Sequence, residues 1–483
     1  MYVDKLIKGS FIYGLGGALN RFIQLLLLPV FTAYLSPGDF GVIAMLALVT
    51  MFIVPVFSFG LGTSVGVCYF NAEQSQDKKI IIFNALIILA ISSLFLIIVS
   101  YLCKDEISVL LFGDSKYADY ITLSVLTAAI MVVVQPFQLR LQFEQKAKIF
   151  ALISFATVLA TTTFGIFFIV ILDRSVAGYL EASLIGQFTS LVMFASVTLS
   201  NNVLRFSKKT IQKLLNHGIP MIPSFLFLFI MQNGVRYPLE WFHGLDAVGV
   251  FTVGASFGLV LGVFTNAFIS AWTPFALSYS NKQVEASNLL GRVTYYYMVI
   301  FGFCVVLFFL FAKPAVMLFT TAQFHDAYQV VGFVAASQYL NALFLMLLPP
   351  IYFSEDVKVV TRIQFLSTLL TIAMFTLLIP KAGIIGAAFS VFFASMFMVV
   401  IQYLWVRKEK YLRINYELKK MLKLLSIIVC LSSASFLFAD SSLITACIVA
   451  VLGSIVSGMV MYFLLGFNYN SVRKLLLEGF AGK

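Results

Sequence analysis

Apolar runs of about 20 residues, long enough to carry an α-helix across a hydrocarbon core roughly 30 Å thick, recur along this chain from residue 11 to residue 465. Fourteen are distinguishable, at approximately 11–34, 40–69, 80–102, 118–139, 149–172, 176–199, 214–239, 247–275, 293–312, 328–352, 363–379, 383–405, 422–438 and 442–465. Inside lipid a backbone N–H or C=O has no water to turn to, so runs of this length are expected as membrane-spanning helices. Composition agrees. Of the 483 residues 61% are apolar and 11% are charged, where a soluble domain carries about 25%. Soluble enzyme classes are thereby excluded. Lys5 and Lys8 precede the first run, and no small-residue cleavage pattern follows it, so an uncleaved first span is expected.

The connections between the runs are short and unequally charged. With the N-terminus placed in the cytoplasm, 25 Lys and Arg residues fall on that side and 5 on the other. Positively charged loops resist translocation, so both termini are expected to be cytoplasmic. The longest outer loops, around Cys103–Tyr117 and Lys313–Ala327, hold about 15 residues each and leave no room for a catalytic domain. The net charge of +11 sits mostly beside the membrane. Anionic lipid headgroups, not nucleic acid, are its expected partner. Residues 201–213 form a basic linker, and residues 407–421 a second one that interleaves basic with aromatic and aliphatic side chains. That second linker is expected as an amphipathic helix lying in the interface.

Chemical motifs are few. Cys68, Cys103, Cys304, Cys430 and Cys447 are scattered without CxxC spacing, so neither a disulfide framework nor a metal site is expected. His217, His243 and His325 stand alone near span ends, where interfacial or capping roles are expected. No HExxH, GxSxG, P-loop or GxGxxG segment occurs. No catalytic residue and no cofactor is expected. Energy for any transport would then come from an ion gradient, the membrane potential or the substrate's own gradient, and proton and sodium coupling both stay open.

The chain also resembles itself at an offset of 208 residues. Leu35–Val42, opening the second span, matches His243–Val250, opening the eighth, with Gly41 falling on Gly249. Val176–Gly178, opening the sixth, matches Ile384–Gly386, opening the twelfth. Each match falls at the same stage of a six-span block, and an even number of spans per block gives two halves of the same orientation. The expected fold is all-α and integral to the membrane, with about fourteen transmembrane helices. Two six-helix lobes would be related by a pseudo-two-fold axis along the membrane normal, with two extra C-terminal helices. The lobes are placed at 1–200 and 214–406, joined by the linker 201–213; the second linker, 407–421, leads to the last two helices in 422–466 and a cytoplasmic tail in 467–483.

Charge within the spans is the strongest pointer to function. An arginine at membrane depth costs several kcal/mol on insertion scales, so it needs a partner, a wet cavity or an anionic substrate. Two such residues exist, Arg21 and Arg236. Arg21 shares a helical face with Gly17, Asn20 and Gln24, and Gln24 with neighbouring carbonyls is the alternative to a substrate. Arg236 lies among Gln232, Asn233, Tyr237 and Glu240, and Glu240, four residues on, offers a helical salt bridge as its alternative. Shifted back by the repeat, Arg236 falls at position 28, about 10 Å along the helix from Arg21. Glu181 is the one carboxylate well inside a span, either a proton-coupling site or an outer-edge acid hydrogen-bonded to a neighbouring helix. Arginines without matching acids favour anionic cargo over organic cations.

Several segments in order resemble the Wzx-type polysaccharide flippases of the MOP superfamily, which also holds drug/sodium antiporters and lipid II flippases. They are Lys8–Gly14 with Pro29–Gly41, Gly60–Ser64, Leu110–Gly113 with Tyr117, Arg140–Lys148, Val176–Tyr179 and Gly383–Ala388. The resemblance implies two six-helix bundles in a V within a bacterial inner (plasma) membrane. It implies translocation of undecaprenyl-diphosphate-linked oligosaccharide repeat units, such as O-antigen units, from the cytoplasmic to the periplasmic leaflet. Membrane lipids and other polysaccharide-assembly membrane proteins are the implied partners. Arg21 and Arg236 would meet the diphosphate, with Asn20, Gln24 and Asn233 near sugar or phosphate. One departure stands out, since relatives often carry a basic residue where this chain has Gly66-Val-Cys68. The competing functions are a lipid II or teichuronic-type flippase, an ion-coupled drug antiporter, and a membrane glycan polymerase or ligase.

Overall fold

The computed structural model describes residues 21–72, 74–199, 205–279, 283–354, 356, 358–407, 418–437 and 442–465. Among the described residues there are helices and no strands. They run in order as α1 (Arg21–Tyr34), α2 (Pro37–Phe57), α3 (Leu61–Phe70), α4 (Ser75–Leu102), α5 (Lys104–Phe112) and α6 (Ala118–Phe143). Next come α7 (Ala147–Ile166), α8 (Ser175–Leu199), α9 (Lys208–Gly218), α10 (Ile222–Asn233), α11 (Arg236–Leu277) and α12 (Gln283–Leu310). The chain continues through α13 (Ala312–Phe319), α14 (Tyr328–Met346), α15 (Pro349–Phe353), α16 (Lys358–Val406), α17 (Leu418–Leu437) and α18 (Leu443–Leu465). The interfacial helix expected over 407–421 lies outside the described residues from 408 to 417, as does the tail.

Ten described stretches are long and apolar enough to cross a bilayer. The difference from fourteen has a geometric origin. Arg21–Tyr34 and Lys423–Ser433 are apolar but short. Helices α11 and α16, of 42 and 49 residues, are each interrupted by a non-helical glycine, Gly244 (φ 78°) and Gly383 (φ 51°). A straight helix of 49 residues would be about 74 Å long, more than twice the hydrocarbon thickness, so a break is required. Positive φ is open to glycine at little cost, which is why a glycine serves at each break. Ser175, with φ 42°, sits one repeat before Gly383, so a positive φ recurs at the offset read from the sequence.

By packing, the chain divides into two compact units, Met1–Val253 with Gln364–Ser390, and Gly254–Ile363 with Val391–Lys483. The first has several apolar cores. One joins Leu35, Val42 and Leu46 of the α2 region to Leu96, Ile121 and Val125. Another joins Leu61 and Val65 of α3 to Ile82, Leu89 and Leu214 of α9. Helix α2 starts at Ser36, whose hydroxyl accepts from the Asp39 N–H while the Asp39 carboxylate accepts from the Ser36 N–H at 2.9 Å. This capping box satisfies backbone donors that lipid could not. The second unit is built around Tyr297, which is stacked on Tyr339 with its rings 5.6 Å apart and donates its hydroxyl to the Tyr339 carbonyl at 2.9 Å.

Within the first unit the duplication appears as a pair of matched contacts. Gly41 packs against the Leu245 backbone carbonyl, and Gly249 packs against that of Pro37. Positions 37 and 245, like 41 and 249, are 208 apart. Contact i to j and its mirror j to i is what a two-fold relation between equivalent segments produces. At both points a Cβ would run into backbone and not into a movable side chain.

A charged cluster closes the other end of α6. Arg140, 7% exposed at its side chain, donates Nε to Glu144 Oε1 at 2.8 Å and Nη1 to the Thr198 carbonyl at 2.6 Å, capping the C-terminal turn of α8. Lys146 reaches the other Glu144 oxygen at 2.6 Å. Burial pushes the Glu144 carboxyl up, but hydrogen bonds from Arg140 and Lys146 outweigh it and hold it below the usual carboxylate range.

Two outcomes are expected from thermal melts of the solubilised protein. Gly41→Ala and Gly249→Ala should each destabilise by about 1–3 kcal/mol, as overpacking does. Their double variant should cost less than the sum, because the first methyl already parts the two segments. Glu144→Ala, which strands a buried Arg140, should cost roughly 3 kcal/mol at neutral pH. A carboxyl whose pKa is depressed by folding contributes stability above its unfolded pKa and loses it as pH falls through the folded one. Acidification should therefore narrow the gap between wild type and Glu144→Ala.

Candidate functional site

The two membrane-depth arginines come from different helices of the first unit. Arg21 lies on α1 and is exposed, with Gln24 exposed one turn further on. Arg236 begins α11, just past the break at Gly234 and Val235 that ends α10. A helix break places side chains on a backbone whose own polar groups are only partly used, which is where membrane proteins build polar sites. Asn233, the last residue of α10, accepts from Arg236 Nη1 at a long 3.4 Å. Asn20 lies outside the described residues.

Arg236 is half-buried, and its Nε is enclosed without a hydrogen-bond partner. The salt bridge that spacing offered with Glu240 does not form; the guanidinium turns back toward Asn233 instead of on to the next turn. Among the described residues no carboxylate stands within ion-pair distance of Arg21 or Arg236. Burial is the main influence on the Arg236 guanidinium, and the positive charge of Arg21 adds to it. Two like charges from separate helices thus act on one another, an arrangement that is unfavourable by itself.

Other sequence candidates are placed elsewhere. Glu181 accepts from Arg174 Nη1 at 2.7 Å, a partner in the connection that leads into its own helix and not on a neighbouring helix. In α3 Cys68 is buried and Gly66 faces the Phe143 ring, so these two positions themselves supply no cation. The solitary histidines act on helix ends: His243 Nε2 donates to the Ile379 carbonyl at 2.8 Å, beside the Gly383 break, and His217 Nδ1 to the Lys213 carbonyl at 2.8 Å. The described residues contain no group of three or more His, Cys, Asp or Glu side chains arranged for a metal ion.

One polar residue escaped the sequence reading. Asn84, fully buried in α4, donates Nδ2 to the Arg205 carbonyl at 2.9 Å and accepts from the Ser207 N–H at 2.9 Å. Its signal was a lone asparagine in the run Ile80-Ile-Ile-Phe-Asn-Ala-Leu86. Tyr237, beside Arg236, donates its hydroxyl to the Leu110 carbonyl of α5 at 3.4 Å.

Residues 6–280, more than half of the chain, match the family described as "Polysaccharide biosynthesis protein". No match was found among curated proteins. Among solved structures, the lipid II flippase MurJ in an inward closed conformation is similar with a TM-score of 0.73 at 14% identity, over 95% of this chain and 100% of that one. An inward-facing multidrug resistance MATE family transporter of the MOP superfamily gives 0.66 at 16% identity, over 85% and 99%. A MOP superfamily transporter from Pyrococcus furiosus gives 0.60 at 17%, over 83% and 95%. At such identities the likeness is one of fold. With its apolar helices, this is a multi-pass membrane protein of MOP-transporter fold, and the chain belongs to the polysaccharide biosynthesis protein family.

Proposed function

We propose that the protein flips undecaprenyl-diphosphate-linked oligosaccharide repeat units, of the O-antigen kind, from the cytoplasmic to the periplasmic leaflet of a bacterial inner membrane. The six-span blocks 1–200 and 214–406 would alternately expose the site, and both termini would be cytoplasmic. The observation that carries this reading is the Arg236 guanidinium, buried at Nε without a partner and repelled by Arg21.

A diphosphate leaving the headgroup layer loses water from its oxygens, and a guanidinium replaces that water with donors in a fixed fork, often in bidentate pairs. Two guanidiniums meet two phosphates. Cargo charge cancels the repulsion between the arginines, so loaded and empty sites differ in electrostatic energy, and that difference can bias a conformational equilibrium. Gln24 and Asn233 supply neutral donors and acceptors for sugar hydroxyls or phosphate oxygens. The lipid tail stays in the bilayer throughout.

The test is transport of a lipid-diphosphate-linked oligosaccharide into vesicles holding the full-length protein. Arg21→Ala and Arg236→Ala should each lower the rate by about 10- to 100-fold, the scale of a lost charged hydrogen bond. Arg21→Lys should recover only part, because an ammonium lacks the planar fork. Wild-type rates in the folded alanine variants would overturn the assignment of the site. Equal transport of lipid II would favour the peptidoglycan-precursor alternative. In cells lacking the protein, undecaprenyl-linked single repeat units should accumulate in the cytoplasmic leaflet; periplasmic accumulation would indicate a polymerase instead.

A further inference from the structure

The linker helix α9 has an apolar side taken up by protein and a basic side left open. Ile211, Leu214 and Leu215 pack into the core formed with α3 and α4. Gly218, at the end of α9, lies against the Phe59 carbonyl, and Gly60 against that of Gly218, a close approach that only glycines on both sides allow. The start of α9 is fixed as firmly. Asn84 holds the backbone at Arg205 and Ser207, and the Ser207 hydroxyl accepts from the Thr210 N–H at 3.3 Å. The helix is therefore rigidly mounted on the first unit.

Its outward side carries Lys208, Lys209 and Lys213, all exposed, with Arg205 exposed just before them, and residues 205–218 contain no acid. Lys213 is close enough to the end of α3 for its charge to reach Cys68, and Lys78 of α4 sits over the adjacent Tyr69 ring at 5.2 Å. Asp77, in the first turn of α4, is the exposed acid nearby in sequence. Flanking this charge are exposed apolar side chains, Phe206 at 65%, Ile219 at 49% and Met221 at 43%. Water suits the lysines and not the phenylalanine. A headgroup layer suits both, because phosphates and acyl carbons lie within one side-chain length of each other there.

We propose that the exposed face of α9 is a docking surface for the anionic phospholipid headgroups of the leaflet that carries the basic loops. An acidic soluble protein would match the lysines but would leave Phe206, Ile219 and Met221 without a partner. Because α9 runs through the short turn Ile219–Met221 into α10, and α10 ends beside Arg236, lipid charge here also anchors the near end of the rod that bears the arginine.

The test compares full-length protein in bilayers of phosphatidylcholine alone and of phosphatidylcholine with about one-third phosphatidylglycerol, by amide hydrogen exchange across 205–218. Exchange should slow by about fivefold or more in the anionic bilayer, the slowing should shrink as salt rises, and it should vanish in the combined Lys208→Gln, Lys209→Gln, Lys213→Gln variant. These lysines face outward, so the variant keeps its packing, and the salt series on wild type decides the matter should it express poorly. Identical exchange in the two bilayers would overturn the proposal. So would slowing reproduced by inorganic phosphate in the neutral bilayer, or slowing retained in full by the variant.

Discussion

A guanidinium inside a hydrocarbon layer has to be met by something, and what meets it decides what the surrounding structure is for. Structural arginines in this chain are met by protein. Arg140 has Glu144 and the end of α8, and Arg174 has Glu181. Arg236 has one long hydrogen bond to the last residue of the preceding helix and a second arginine as its electrostatic neighbour. The contrast lies within one molecule, under one set of packing rules, and is why the proposed site is centred on Arg236.

The scaffold around that place is duplicated, and the duplication is physical as well as textual. Gly41 with Gly249 supplies mirrored contacts against the carbonyls of Leu245 and Pro37, and Ser175 and Gly383 each have a positive φ. Glycine is demanded at the contacts because any side chain would strike backbone, and at Gly383 because a left-handed conformation is strained for most other residues. Repeated use of one device at one offset ties the break between consecutive spans to the crossing that holds them. The like charges at the site do not follow the repeat; position 28, one repeat before Arg236, is Leu28.

Charge outside the membrane follows a different economy. The connections around 103–117 and 313–327 hold few cations, while the linker helix α9 presents lysines from a mount fixed by Asn84 at one end and by a glycine contact at the other. Membrane proteins commonly leave basic loops mobile, where their charge acts by proximity alone. Here the same charge is presented on a rigid helix continuous with the segment leading to Arg236, so electrostatics at the surface and at membrane depth belong to one connected backbone.

Apolar length, composition and internal matches determined by themselves that this chain is a helical membrane protein, that segments recur at an offset of 208, and which two arginines stand out. These follow from local quantities: the apolar run a bilayer requires, the cost of a cation within it, the match of one segment to another. Only the tertiary structure decided which partner each charge takes. Spacing offered Glu240 to Arg236 as readily as it offered Glu144 to Arg140, and only the second pair forms: Arg236 turns toward Asn233, while Arg140 is held between Glu144 and the Thr198 carbonyl of a distant helix. The purpose of Asn84 was equally closed to sequence, since the groups it binds lie 121 and 123 residues away. Partner choice depends on where helices end and on which distant backbone arrives there, and neither is a property of any local window.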